Sequence, residues 1–352
     1  MAEQPFMRGE RVVVVVPSVR EQHLRQFLDA WRDEFASATV LVVEDHGERE
    51  FDLGDLPNVV HLCWHDIDRE LGASAWIVPR QTDCVRSFGY YKAWQLQPRM
   101  IVTLDDDCLP GPSGARGFLE RHWQRLEEGG HDRAWVSTVE GTVPRGVPYY
   151  SQNRQRRCVI NHGLWTNVPD YDAPTQLLQA RVPTPCELRD QTIPAGSYFP
   201  MCGMNLAFRP EVVPALYFLL MGRNHPVDRF GDIWCGVFVK RICDHLGLAV
   251  NSGAPAVEHQ RASNVFANLR KEAPAMEWNE TLWRLVDDAR LTATTFGACY
   301  RQLAEAIAGH GDPYFARLAE AMSCWADLFD PVLLPRRAKA APATVALGQV
   351  PS

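Results

Sequence analysis

No apolar run in this 352-residue chain is long enough to cross a bilayer. The densest, Ala215 to Met221, falls far short of the roughly 20 residues that a spanning helix needs. The amino terminus lacks a basic region followed by a long apolar stretch and a cleavage site, so secretion is not expected. Positive charge is not in surplus either: 36 Lys and Arg stand against 43 Asp and Glu, for a net charge of −7 and a pI near 5.9. Nothing points to a basic nucleic-acid surface, and an anionic substrate would need local basic groups or a metal. Ten cysteines occur without a Cys-x-x-Cys pair. In a protein this long they read as reduced, mostly buried thiols in a cytosol, ahead of a disulfide framework or a structural zinc. Also missing are Gly-x-x-x-x-Gly-Lys-Ser/Thr, Gly-x-Gly-x-x-Gly, His-Glu-x-x-His and Gly-x-Ser-x-Gly. The best-marked NTPase, dehydrogenase, zinc-protease and hydrolase readings go with them.

What is present is ordinary globular material, 46% hydrophobic and 22% charged, enough for a sizeable core. Val12–Val16 is a β-branched run ending at Pro17, as in a strand buried on both faces. Leu24, Phe27, Leu28, Trp31 and Phe35 recur at helical spacing. Val40–Val43 is a second buried strand, Asn58–Leu62 a third, and helical material follows over Cys84–Gln95. Ile101–Leu104 is another strand. This alternation predicts an α/β domain with a largely parallel sheet, in which ligands bind at the carboxyl ends of the strands. Gly141 to Phe208 is weak in period and is expected to form long ordered loops with two or three strands. Asp232–Leu246 reads as helix, as does a stripe of Phe315, Leu318, Met322, Trp325 and Phe329. From about Arg336 the sequence loses its aromatics and is expected to be a disordered tail.

The strongest chemical signal is Asp105-Asp106-Asp107 directly after a strand. Hard cations such as Mg²⁺ and Mn²⁺ take carboxylate and phosphate oxygens, so two carboxylates two residues apart can hold a cation that bridges a diphosphate. A solvated acidic loop is the plainer alternative. His259 is a candidate ligand from a second segment, or a hydrogen-bonded loop histidine. Arg20 and Arg86 could bind phosphate, hold an aspartate, or sit at the surface. Asp45 could meet a base or ribose, or shape the turn before Gly47. Asp232 opens a helix: a cap, or an acid holding a substrate hydroxyl or a cationic side chain. Arg154-Gln155-Arg156-Arg157 is solvated by default.

Longer blocks add a family. His162-Gly163-Leu164-Trp165-Thr166-Asn167-Val168-Pro169-Asp170-Tyr171-Asp172-Ala173-Pro174-Thr175-Gln176-Leu177 closely resembles a signature of the reversibly glycosylated polypeptides, the UDP-arabinopyranose mutases best known from plants. So do Phe199-Pro200-Met201-Cys202-Gly203-Met204-Asn205-Leu206-Ala207-Phe208, Cys243-Asp244-His245-Leu246-Gly247 and Asp312-Pro313-Tyr314-Phe315, in family order from about Val12 to Phe329. The resemblance implies glycosyltransferase family 75. It implies a GT-A-like nucleotide-binding domain with a mixed, mainly parallel sheet, placed over residues 8–285 with a helical extension over 286–335, ahead of the tail that composition sets at 336–352. It also implies a divalent metal, Mn²⁺ or Mg²⁺, and a UDP-sugar substrate, UDP-arabinose foremost with UDP-glucose as a further candidate; whether the protein is a homo-oligomer stays open. Members interconvert pyranose and furanose forms and glycosylate themselves reversibly on an arginine.

Carried over by position, Asp105 and Asp107 with His259 hold the metal, and Arg20, Asp45, Arg86, Asp105 and Asp106 bind the nucleotide. Arg154 is the arginine expected to carry the sugar, with Arg156 and Arg157 as alternatives. A protonated arginine is a poor nucleophile, and Asp232 or an aspartate of the triplet is expected to lower that barrier. Gly231-Asp232 stands where the family commonly has adjacent aspartates, and Ser151–Ile160 departs from the plant pattern. A conventional metal-dependent glycosyltransferase with a separate acceptor, and a non-catalytic UDP-sugar-binding subunit, stay open beside the mutase.

Overall fold

The computed structural model describes residues 11–133, 135, 139, 142–143, 145–150, 153–168, 170–178, 189–260 and 264–330. Its frame is a nine-stranded mixed sheet. Strands β1 (Val12–Ser18), β2 (Thr39–Glu44), β3 (Val59–Leu62) and β4 (Met100–Leu104) pair in parallel in the order β3-β2-β1-β4. After β5 (Cys108–Pro110) the backbone forms a separate pair, β6 (Gly130–Arg133) with β7 (Asn153–Arg156). It then re-enters the sheet with β8 (Cys158–Asn167), β9 (Gln191–Thr192), β10 (Asn205–Phe208) and β11 (Ala249–His259). The sheet continues from β4 through β10, β8 and β11 to β5, and β9 also pairs with β11. β10 runs antiparallel to both its neighbours, while β8 and β11 are parallel. Six strands therefore point one way, and β5, β9 and β10 oppose them.

Strand periodicity sends successive side chains to opposite faces, which splits the β1 valines between two layers. Val12, Val14 and Val16 pack with Leu24, Phe27 and Trp31 from α1 (Glu21–Ala30) and the turn after it, together with Phe118 and Trp123 of α4 (Phe118–Glu127). Val13 and Val15 face the other layer, which holds α2 (Trp64–Leu71), α3 (Arg86–Gln95), α6 (Gly231–His245) and the carboxyl-terminal helices. The sheet is buried on both sides, which is why these strands read as unbroken apolar runs. Helix α3 lies so close that a Cβ on Gly89 would fall 2.4 Å from Val15 Cγ1. Gly163 in β8 leaves similar room for the Asn205 side chain.

Beyond the short α5 (Ala173–Leu178), helix α7 (Val265–Asp288) runs across the 285/286 division expected from the family. Helices α8 (Phe296–Ala308) and α9 (Pro313–Asp327) join the same hydrophobic cluster as β1. Their seat is the apolar segment Ala215–Met221, which is buried throughout. Trp325 stacks on Tyr217 at 5.3 Å and donates Nε1–H to the Val213 carbonyl at 3.0 Å. Trp325→Ala is expected to cost about 3–5 kcal/mol, the range for emptying a buried aromatic site. A denaturant midpoint matching the wild type would refute that assignment. Nine described cysteines are free thiols, seven of them buried. No described helix is long and apolar enough to cross a membrane. The tail expected over 336–352 lies outside the described residues.

Candidate functional site

The mixed sheet gathers chemistry at one edge. β1, β2, β4 and β11 finish there, while β5 and β10 begin there, and the register sets Ser18 beside Glu44, Leu104 beside Asn205 and Cys108 beside His259. A cleft of about 770 Å³ opens over this edge, within the ~300–1,000 Å³ range of small-molecule sites. Ten carboxylates line it, against four permanent cations: Arg20, Arg86, Arg229 and Lys271.

The three aspartates divide their attention. Asp105 takes an ion pair from the buried Arg86, whose other terminal nitrogen donates to Thr103 Oγ1 at 3.0 Å and to the Gly203 carbonyl at 2.6 Å. Burial works to raise the Asp105 carboxyl, but the Arg86 charge outweighs it and holds the group below its ordinary value. Asp106 accepts from Ser18 Oγ at 2.6 Å and pairs with Arg20. There burial prevails over both partners, and its pKa is raised. Asp107 lies 3.4 Å from Arg20 Nη2 and 4.0 Å from His259 Nε2. His259 Nδ1 is 2.9 Å from the Val168 carbonyl. A carbonyl only accepts, so Nδ1 carries a proton there, and Nε2 is the ring atom that faces Asp107.

The donor set fits a hard divalent cation: carboxylate oxygens with one imidazole nitrogen. Asp107 and His259 meet, and Asp105 keeps its second oxygen outside the Arg86 pair. The tightest His/carboxylate group among the described residues lies elsewhere, at Glu44, His46 and Glu50. Its centre, Glu44, is already satisfied. It receives His46 Nδ1 at 2.8 Å, His61 Nε2 at 2.5 Å and the amides of Glu50 and Phe51. Burial raises it, yet these donors outweigh burial and keep it low. It is a self-contained buried carboxylate that braces the loop after β2.

Asp45 faces the cleft at the β2 end but spends its oxygens on the wall. Trp64 Nε1 at 2.7 Å and the amides of Gln81 and Thr82 at 3.0 and 2.8 Å all donate to it. Burial raises its pKa against those bonds. Across the cleft, Asp232 stands in the first turn of α6. Its Oδ2 accepts from the Gly203 amide at 3.1 Å and its Oδ1 from the Ile233 amide at 2.9 Å. Burial, with Asp83 and Asp170 nearby, pushes it up to about 7. Its neighbours are engaged: Asp228 with Lys271 at 3.2 Å, Glu272 with Arg229 at 2.9 Å, and Asp170 with the Cys202 thiol at 2.9 Å. Aromatic groups line the cleft as well. His162 sits edge-on between Trp165 and Phe199, and burial lowers its pKa to about 4, so the ring is neutral.

Arg154 is not brought here. It lies exposed on β7, opposite Asp132 in β6. Arg156, next to it, donates to the Leu248 carbonyl at 2.6 Å, and Arg157 pairs with Glu211. Leu248 immediately precedes β11, whose far end carries His259. The 11 residues of β11, at about 3.3 Å each, put on the order of 30 Å between the two sheet edges. The local sequence around Arg154 gives no hint of this, because edge is decided by strand direction. Ser18, Asp83, Asp170, Cys202 and Arg229 also line the cleft, and nothing in their local sequence singles them out for it. Asp170 and Cys202 fall inside the signature blocks, which is the one signal they carry.

A sequence profile of the reversibly glycosylated polypeptide family matches residues 7–333. UDP-arabinopyranose mutase 1 of Arabidopsis thaliana is 36% identical over 351 residues, covering 95% of this chain and 96% of that protein. UDP-arabinopyranose mutase 1 of Oryza sativa subsp. japonica is 35% identical over 350 residues, covering 93% and 92%. Among solved structures, the mannosyltransferase PcManGT from Pyrobaculum calidifontis, in complex with GDP-Man and Mn²⁺, aligns at 13% identity and a TM-score of 0.39. That alignment covers 95% of this chain and 74% of the other, a likeness too distant to carry an inference.

Proposed function

The chain belongs to the reversibly glycosylated polypeptide family, and on that premise we propose that it is a UDP-sugar mutase exchanging the pyranose and furanose forms of a UDP-sugar, UDP-arabinose foremost. The observation that carries this reading is the charge of the cleft. Ten carboxylates against four cations repel a diphosphate unless a further cation enters with it. Asp105, Asp107 and His259 would hold that cation, Mn²⁺ or Mg²⁺. Bound there, it would supply Lewis-acid neutralisation of the diphosphate charge as the sugar departs and returns.

The protein's own groups divide the remaining work. Arg20, at the amino end of α1, is a third exposed and offers its guanidinium to a phosphate oxygen at a helix start. Arg86 commits both terminal nitrogens to the protein and positions Asp105. Asp45 fixes the Gln81–Thr82 wall beside the nucleotide. The aromatic end, with neutral His162, Trp165 and Phe199, gives the sugar an uncharged face. Retaining both fragments in one cleft lets UDP recombine without a new bimolecular encounter. The family's sugar-carrying arginine would have to reach this cleft, and Arg154, Arg156 and Arg157 stand at the opposite sheet edge. The free, mostly buried thiols support a reducing, cytosolic setting.

The test is incubation with UDP-arabinopyranose and Mn²⁺, with chromatography for the furanose isomer and intact mass for a pentosyl adduct. Both are expected, and peptide mapping then names the arginine. The position of Arg154 favours one second reading, transfer to a separate acceptor. That reading predicts release of sugar to an added acceptor with no adduct on the protein.

A further inference from the structure

Within one molecule, the cleft and the arginine expected to carry its sugar stand at opposite edges of the sheet. The three arginines that line the cleft are committed: Arg20 to Asp106 and Asp107, Arg86 to Asp105, and Arg229 to Glu272. At the other edge Arg156 donates to the Leu248 carbonyl and Arg157 pairs with Glu211. Arg154 is exposed and has no ion pair among the described residues. The β6–β7 ribbon that bears it is pinned where it stands. Gly130, which pairs with Arg156, lies so close to Ala249 that a Cβ there would collide with it. The His131 amide donates to Thr192 Oγ1 at 3.0 Å, and Arg156 adds its bond to Leu248 at 2.6 Å. These anchors surround the start of β11, on the order of 30 Å from His259 at its end. No arginine side chain spans that distance, so Arg154 does not serve the cleft of its own molecule.

The ribbon carries the makings of a contact. Tyr149 and Tyr150, just before β7, are 87% and 102% exposed, and Arg145 is exposed ahead of them. Bare tyrosines beside arginines match the residue types that dominate protein interfaces. The cleft supplies the complement. Its surplus of carboxylates attracts a guanidinium, and Trp165, Tyr171 and Phe199 line it. Its rim is apolar. Helix α5 follows Asp172 directly and packs on α7, where Glu272 accepts the Ala173 amide at 2.7 Å. Between them these two helices expose Leu177, Leu178 and Phe266, a cluster of the kind that marks an interaction surface.

Resting on the mutase reading above, we propose that a second copy of this chain docks its β6–β7 ribbon over the cleft and presents Arg154 to the sugar, so that each cleft loads the arginine of another copy. A guanidine nitrogen of Arg154 attacks C1 of the sugar. The bond from C1 to the β-phosphate oxygen breaks, and its electron pair leaves with UDP. The attacking nitrogen gives its proton to that phosphate oxygen. One C–O and one N–H bond break, one C–N and one O–H bond form, and nothing is oxidised. The guanidinium keeps its positive charge, and the reverse step returns the sugar to UDP in the same cleft. The site is incomplete in one copy and complete in an assembly.

The test co-expresses two full-length chains with different tags, so that mixed assemblies form. Intact mass then reads the pentosyl adduct on each chain after incubation with Mn²⁺ and UDP-arabinopyranose. One chain is Asp107→Ala, with a disabled cleft and an intact ribbon. The other is Arg154→Gln, with an intact cleft and no carrier. Each alone should carry at least about tenfold less adduct than wild type. Together, the Asp107→Ala chain should rise at least about tenfold above its level alone, while the Arg154→Gln chain stays bare. Wild-type labelling without that rise means loading within one chain and overturns the proposal, as does adduct on the Arg154→Gln chain. A second variant leaves the cleft untouched. Tyr149→Ala with Tyr150→Ala should slow adduct formation about tenfold at limiting protein concentration, the loss expected from removing exposed aromatic anchors. Its UDP affinity in the presence of Mn²⁺, measured by calorimetry, should equal that of the wild type. Labelling at the wild-type rate without the two tyrosines overturns the docking. A wild-type protein giving no adduct at all overturns the mutase reading, and this proposal with it.

Discussion

Asp107→Ala is expected to lower mutase turnover by roughly a thousandfold. Asp107 reaches the cleft from just before β5 and stands 4.0 Å from His259 Nε2. It is the one aspartate of the triplet that meets the imidazole. Removing it takes away an anionic oxygen from the cation site and one of the two carboxylates on Arg20. Metal-assisted charge stabilisation is worth several kcal/mol, and about 4 kcal/mol corresponds to about three decades of rate. The loss should appear in kcat as well as KM, because the charge being neutralised develops as UDP leaves. Initial rates across a Mn²⁺ titration check this. Glu50→Gln is the control. It alters the other His/carboxylate group, and its Mn²⁺ dependence should match the wild type. If Glu50→Gln shifts that dependence and Asp107→Ala does not, the cation belongs to the Glu44 group instead.

Arg86→Met is expected to cost about 3–5 kcal/mol of stability, the range for leaving one member of a buried charge network alone. Arg86 is 3% exposed and lies over the Phe218 ring at 5.2 Å. Methionine would fill the apolar stem of the site but strand Asp105, Thr103 and the Gly203 carbonyl together. The pH dependence has a definite sign. Asp105 is depressed by Arg86 in the folded protein, so the unfolded state binds its proton first. The pair's contribution is complete above the ordinary carboxylate pKa and fades as pH falls through the depressed one. The difference between wild type and Arg86→Met should therefore be largest at neutral pH and shrink in acid. Guanidinium melts at two pH values measure it, and a gap that widens in acid would contradict the assigned pair.

The parallel half of the sheet is legible in the sequence because its strands are covered on both faces. Val12–Val16 and Val40–Val43 carry no polar residue to blur the pattern, and Ile101–Leu104 carries only Thr103. Ser18 and Arg20 after the first, Asp45 after the second and Asp105 to Asp107 after the third line the cleft, since carboxyl ends converge in such a sheet. β8 is not legible. Its outer half, His162 to Asn167, reaches the cleft and carries polar and aromatic groups that hide its length as a strand. The same cause obscures β11, where Gly253 and Pro255 interrupt an 11-residue strand. Only the position of Arg154 along the sequence draws it toward the site, and nothing there shows that β8 begins at the opposite edge. The commitments of individual oxygens lie beyond sequence altogether. Nothing local to Asp45 or Asp232 reveals that one is satisfied by Trp64 and two amides while the other has only backbone donors.

Titrating UDP into the protein by calorimetry, with and without Mn²⁺, tests the central claim most directly. A cleft with this surplus of carboxylates should bind UDP at least tenfold more tightly with the cation present, about 1.4 kcal/mol or more, and Asp107→Ala should erase the difference. Equal affinity in both conditions would mean that these carboxylates do not gather a cation for the diphosphate, and the mechanism built on them would fail.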